Sequence, residues 1–116
     1  MGTVEILEDL AERKVPLYAI TNWAAETFDI VRRDPAYAFL DLFREIYVSG
    51  SLRMAKPEPA IFHHALGRIG GDPSDSLFID DVEKNIRAAA ALGITVHHFT
   101  SPEGLAADLQ QRGLLA

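Results

Sequence analysis

The sequence predicts an α/β protein with three layers, a mostly parallel sheet carrying helices on both faces. Two observations carry that expectation. Short apolar runs (Val15–Ile20, Ile46–Val48, Leu77–Ile79 and Ile94–Phe99) alternate with longer segments of helical periodicity. Each of the first three runs ends abruptly in small or polar residues, Thr21-Asn22, Ser49-Gly50 and Asp80-Asp81. A continuous apolar run bounded in this way reads as a strand of a parallel sheet, buried on both faces.

The elements follow in order. Residues 3–14 place Val4, Leu7, Leu10 and Ala11 on one helical face behind a Thr3 cap. The strand Val15–Ile20 comes next. Helices are expected over 24–33 and 36–44, divided at Asp34-Pro35 because proline disfavours helix in the residue before it. Phe39, Leu40, Leu42 and Phe43 read as core, and Trp23 as packing on the sheet edge. After the strand at 46–48, Pro57 or Pro59 suits the first turn of a helix bearing Ile61, Phe62, Ala65, Leu66 and Ile69. A small-residue helix from Glu83 to Leu92 closes at Gly93, and Ser101-Pro102 opens a last helix to about Arg112.

Composition narrows the function classes. Hydrophobic residues make up 48% and charged residues 24% of 116, the balance of a globular domain rather than a disordered one. The formal charge of −6 with no basic cluster argues against nucleic acid as a partner. No apolar run approaches a membrane span, and a cytoplasmic location is the expectation. With no cysteine, thiolate chemistry is excluded. His63-His64 and His97-His98 are poor metal pairs, since adjacent residues on a strand face opposite ways and zinc sites need three or four ligands.

In parallel α/β sheets, ligands bind outside the carboxyl ends of the strands. That rule predicts one edge carrying Thr21-Asn22, Ser49-Gly50 and Asp80-Asp81, with Lys56 reaching back to it. Thr21 and Asn22 offer a hydroxyl, an amide and backbone N–H groups for an anion, although a helix cap uses the same residue types. Asp80 and Asp81 offer carboxylates for a hard cation such as Mg²⁺, or cap the following helix. Two adjacent carboxylates need a positive charge beside them, and Lys56, a metal ion or both would supply it. Hydroxyl, lysine and metal-binding aspartate together are the equipment of phosphoryl transfer, whose catalysis is mostly positioning and charge neutralisation.

These residues resemble the haloacid dehalogenase superfamily of hydrolases. YAITNW is similar to its second motif, SGSLRMAKPEPAIFHHAL to its third and LFIDDVEKNIRAAAALGI to its fourth, in the family's order from Leu17 to about Phe99. The resemblance implies a Rossmann-like core and a Mg²⁺-dependent phosphatase acting on a small phosphorylated metabolite. It implies that Thr21 and Asn22 bind the phosphoryl group and that Lys56 neutralises it. Asp81 would ligate Mg²⁺, Asp80 would be a second ligand or the partner of Lys56, and Asn85 would support them from behind.

The family's first motif, a strand ending in Asp-x-Asp whose first aspartate is the nucleophile, has no counterpart here. Glu8-Asp9 falls inside the first predicted helix. Residues 1–116 are therefore expected to be one core domain, the carboxyl-terminal part of such an enzyme without its cap, and inactive alone. In the family the nucleophile strand lies between those represented by Leu17–Ile20 and Leu77–Ile79. The two are expected either to pair directly or to have the gap filled by another chain in a homodimer or swapped assembly. Two other readings compete: a non-catalytic binding or assembly module on the same fold, and a receiver-type phosphoacceptor domain. The receiver order places the acidic pair first and Lys-Pro last, the reverse of the order here.

Overall fold

The computed structural model describes residues 2–116. Helix α1 (Thr3–Glu12) leads to strand β1 (Tyr18–Thr21) and helix α2 (Ala25–Val31). A 3₁₀ segment (Pro35–Leu42), strand β2 (Glu45–Val48) and a single helical turn α3 (Ser49–Leu52) follow. Helix α4 (Pro59–Ile69), strand β3 (Leu77–Asp80), helix α5 (Glu83–Ala91), strand β4 (Thr95–His98) and helix α6 (Pro102–Gln111) complete the chain.

Two apolar clusters sandwich the strands. On one face, Ile6 and Leu10 of α1 meet Leu105 and Leu109 of α6, with Leu17 and Leu77 packed against them. On the other, Ile61 and Phe62 of α4 meet Ala89 of α5 and Ile94, with Ile20 and Phe78 against them. The period of two along a strand explains the division, because Leu17 and Ile20, like Leu77 and Phe78, differ by an odd number of residues. Helices thus cover both faces, giving the three layers that the alternation of elements implied.

The middle layer is not one sheet. β1 pairs in parallel with β2, Tyr18 opposite Glu45 through Thr21 opposite Val48. β3 pairs in parallel with β4, Leu77 opposite Thr95 through Asp80 opposite His98. Among the described residues β1 and β3 share no ladder, so the expected direct pairing of these two strands does not occur. The same two clusters hold both pairs, and that shared packing fixes the strands without closing the gap between them.

Several local expectations need correction. The buried face of α1 is Ile6 and Leu10, four residues apart, while Val4 stays 40% exposed. Thr3 lies inside α1; the cap is Gly2, whose N–H donates to Glu5 Oε1 at 3.3 Å. Val15 and Leu17 pack against the core but precede the paired strand, which includes Thr21. Residues 36–44 form no α-helix; the 3₁₀ segment is broken at Tyr37 (φ −108°, ψ 23°). Phe39, Leu40, Leu42 and Phe43 are half-buried and outside the buried clusters. Gly93 does end α5, at φ +85°, the left-handed conformation that glycine adopts without penalty.

Phe62 is 1% exposed and sits edge-on to Phe78, with ring centroids 5.2 Å apart. Phe62→Ala is expected to cost about 3–5 kcal/mol through lost burial and the cavity left behind. Urea unfolding of the two proteins checks this value.

Candidate functional site

Local chemistry aims each side chain at the carboxyl ends of β1 and β3. The loop after β1 is clasped to the loop before α4 by a reciprocal pair of bonds. Asn22 Nδ2 donates to the Lys56 carbonyl at 3.1 Å, and the Lys56 N–H donates to Asn22 Oδ1 at 2.9 Å. Lys56 then extends across the gap, and its Nζ donates to Asp80 Oδ2 at 2.8 Å. The ammonium also lies 5.9 Å from the Phe78 ring centroid, close enough for a cation–π contribution.

Asp80 has no unused oxygen. Oδ1 accepts from the Val82 N–H at 2.8 Å, and Oδ2 accepts from Asn85 Nδ2 at 3.1 Å as well as from Lys56. Its side chain is 6% exposed and that of Lys56 14%, so the pair is largely out of water. Burial opposes the Asp80 charge. The bonds from Lys56 and Val82, the lysine charge and the Asn85 amide outweigh that penalty and hold the carboxyl below its ordinary range.

Asp81 differs from its neighbour. It is exposed, and among the described residues no hydrogen bond or ion pair engages its carboxylate; only its backbone is tied, its carbonyl accepting from His98 Nε2 at 3.0 Å. Since a carbonyl only accepts, His98 must carry its proton on Nε2. Thr21 closes β1 beside Asn22, half-buried and opposite Val48. Ser49 Oγ and the Gly50 N–H both donate to the Trp23 carbonyl, at 3.2 and 3.0 Å, bringing the end of β2 to the same edge. Trp23 itself packs on Phe28 and Tyr37.

The edge predicted from the strand ends is therefore assembled, with Asn22, Lys56, Asp80 and Asn85 in one hydrogen-bonded chain. One participant had no sequence signal: His98 enters because β3 and β4 pair with Asp80 opposite His98, a register invisible before the fold is known. Gly50 lies on the edge as expected, and the close approach of the chain explains why it is glycine, since a Cβ there would lie 2.5 Å from the Ala25 nitrogen and 2.8 Å from Ala24 Cα. The remaining histidines serve elsewhere: His64 stands edge-on to Tyr47, and His97 Nδ1 lies 2.6 Å from Asp108 Oδ2.

The described residues do not by themselves make up a Mg²⁺ site. Among the described residues no three His, Asp or Glu side chains come together to share a metal ion. Asp81 offers one open carboxylate, whereas Asp80 is already committed. Mg²⁺ demands near-octahedral oxygen coordination, which one protein carboxylate does not provide alone. A cavity of about 730 Å³ lies elsewhere: it borders β2 and α2 and includes none of Asn22, Lys56 or Asp80. Its best-placed charges neutralise each other, Arg68 bonding Glu45 at 2.8 Å. Burial, then the nearby Glu45, raises the Tyr47 phenol in that wall to about 12.

The three-layer α/β core, with a lysine and two aspartates at its strand ends, is of the Rossmann-like kind. A model of haloacid dehalogenase-like hydrolases matches residues 2–93, and the chain belongs to that family. A sesquiterpene phosphatase of Aspergillus oryzae is 31% identical over 91% of this chain and 53% of its own length. A phosphoglycolate phosphatase of Haemophilus influenzae is 34% identical over 83% of this chain and 42% of its own. A haloacid dehalogenase family enzyme of Bacteroides thetaiotaomicron, solved as a magnesium complex, is 29% identical and superposes with a TM-score of 0.76. That superposition covers 95% of this chain and 58% of the other. The same enzyme was also solved with magnesium and inorganic phosphate. The chain thus spans about half the length of the curated relatives it matches.

Two predictions follow from the geometry. Asp80→Asn strands the buried ammonium of Lys56, and the expected loss is about 2–4 kcal/mol near neutral pH. A carboxyl lowered on folding stabilises above its unfolded value and loses that contribution as pH falls through its folded value. The wild-type advantage over Asp80→Asn should therefore shrink below about pH 4, as measured by denaturation at a series of pH values. Gly50→Ala forces backbone apart from backbone, and about 1–3 kcal/mol of destabilisation is expected, with NMR shifts concentrated at Trp23–Ala25.

Proposed function

We propose that this chain is the phosphoryl-binding part of a Mg²⁺-dependent phosphomonoesterase, silent on its own because it carries no Asp-x-Asp nucleophile motif. The Lys56–Asp80 pair, clasped to Asn22, is the observation that supports this best. It holds an ammonium at the edge where Thr21 and Asn22 present a hydroxyl, an amide and backbone donors. Thr21 and Asn22 would take the phosphoryl oxygens and Lys56 would neutralise them. Asp80, held by Asn85 and Val82, would position Lys56, and Asp81 would contribute one metal ligand. The substrate class is a small phosphorylated metabolite, in keeping with the phosphatases among the relatives. Neither Asp9 nor Asp29 takes the place of the missing nucleophile. Asp9 lies on α1 at 4.0 Å from Arg13, and Asp29 on α2 at 3.4 Å from Arg33.

A second reading, a non-catalytic binding module, draws on the same pair: Lys56 and Asp80 already neutralise each other, leaving little net charge for an anion. One experiment separates the readings. With a generic phosphomonoester and Mg²⁺, turnover should not exceed that of Asp81→Ala. In NMR titration, inorganic phosphate should shift the Thr21, Asn22 and Lys56 amides in the millimolar range, and Lys56→Met should abolish the effect. Turnover lost in Asp81→Ala would refute the silence of the chain; no shift with phosphate would leave the binding-module reading.

A further inference from the structure

The cavity of about 730 Å³ beside β2 takes no part in the chemistry proposed above. Its size falls among those of pockets that hold small organic ligands, about 300–1,000 Å³. Phe28 of α2 and Tyr47 of β2, both buried, give it an aromatic floor. His64 of α4 stands edge-on to Tyr47, with ring centroids 5.6 Å apart. Charge then decides the class of ligand. Glu45 is neutralised by Arg68 at 2.8 Å, and Asp29 by Arg33 at 3.4 Å. Glu26 lies in the first turn of α2, where the helix end favours a negative charge. Arg32 is left over. Its guanidinium lies 5.6 Å from the Phe28 ring centroid, and among the described residues it makes no hydrogen bond or ion pair.

We infer that this cavity is a second binding site and that its ligand is a small planar aromatic carboxylate. The carboxylate meets Arg32, whose flat fork of donors matches two carboxylate oxygens at once. His64, which makes no hydrogen bond among the described residues, is a further donor. The ring lies against Phe28 and Tyr47, where offset or edge-on aromatic contact is favourable. A neutral aromatic would leave Arg32 unmatched. A cation would find the carboxylates of the wall already engaged. The inference goes beyond the phosphoryl chemistry and does not depend on it, since the cavity includes none of Asn22, Lys56 or Asp80.

The test is NMR titration of the whole chain with 2-naphthoate, with 2-naphthylmethanol as the uncharged control. The carboxylate should shift the Phe28, Tyr47 and Leu52 amides saturably, with half-saturation at roughly 1 mM, as expected of a ligand this small. Loss of one charge-assisted contact should weaken binding about tenfold, both for the alcohol and for Arg32→Gln. Ser51→Trp, which places a large ring at the cavity wall, should abolish the shifts. Arg32 and Ser51 are both exposed, so both variants should keep the spectrum of the folded chain. No saturable shift at millimolar 2-naphthoate overturns the inference. Equal binding of the alcohol does so too, as does undiminished binding by either variant. Shifts confined to Thr21, Asn22 and Lys56, or displacement by inorganic phosphate, would put the carboxylate at the phosphoryl edge and overturn it as well. Saturation unchanged by excess phosphate supports two separate sites.

Discussion

Lys56 ties the two halves of the middle layer together at the carboxyl ends of β1 and β3. Its backbone is bonded to Asn22 beyond β1, and its ammonium to Asp80 at the end of β3. The half-sheets share no ladder, so at this edge their relative position is carried by one side chain and the apolar clusters on either face. The ion pair is largely buried, a setting in which removing one partner costs far more than the pair contributes over apolar substitutes. Asp80 meets that constraint by accepting from Lys56, Asn85 and Val82 at once. Its place in the site is therefore structural in geometry, while Asp81, one residue on, keeps its carboxylate in solvent.

That division answers why two aspartates stand together after an apolar strand. Successive residues leave a strand end in different directions, so one carboxylate turns inward to hold the lysine and the other turns outward. His98 holds the outward one by its backbone carbonyl, leaving its side chain in solvent. The arrangement suits electrostatic catalysis, which depends on charges held in place before substrate arrives. It supplies only part of what a metal ion requires.

The chain belongs to the haloacid dehalogenase-like hydrolases and spans about half the length of the curated relatives it matches. The helices that would cover a complete sheet are present on both faces, and they hold two pairs of strands at a separation with no hydrogen bonds between them. A parallel sheet normally satisfies both edges of an interior strand. Here the apolar packing defines the layer, and among the described residues no ladder crosses its centre.

Much of this was legible in the residues. The four apolar runs, the helix carrying Ile61, Phe62 and Ala65, the stop at Gly93, and the gathering of Asn22, Lys56 and Asp80 all follow from local chemistry and periodicity, which act over a few residues. The sequence by itself also determined that no Asp-x-Asp is present. What tertiary structure decided depended on contacts between distant segments. The packing of α1 against α6 buried Ile6 and not Val4, the register of β3 on β4 brought His98 to Asp81, and backbone approach at Ala24–Ala25 required glycine at 50. Which of the two aspartates faces Lys56 was settled by the same means, because only the packed strands say where an ammonium 24 residues away will lie.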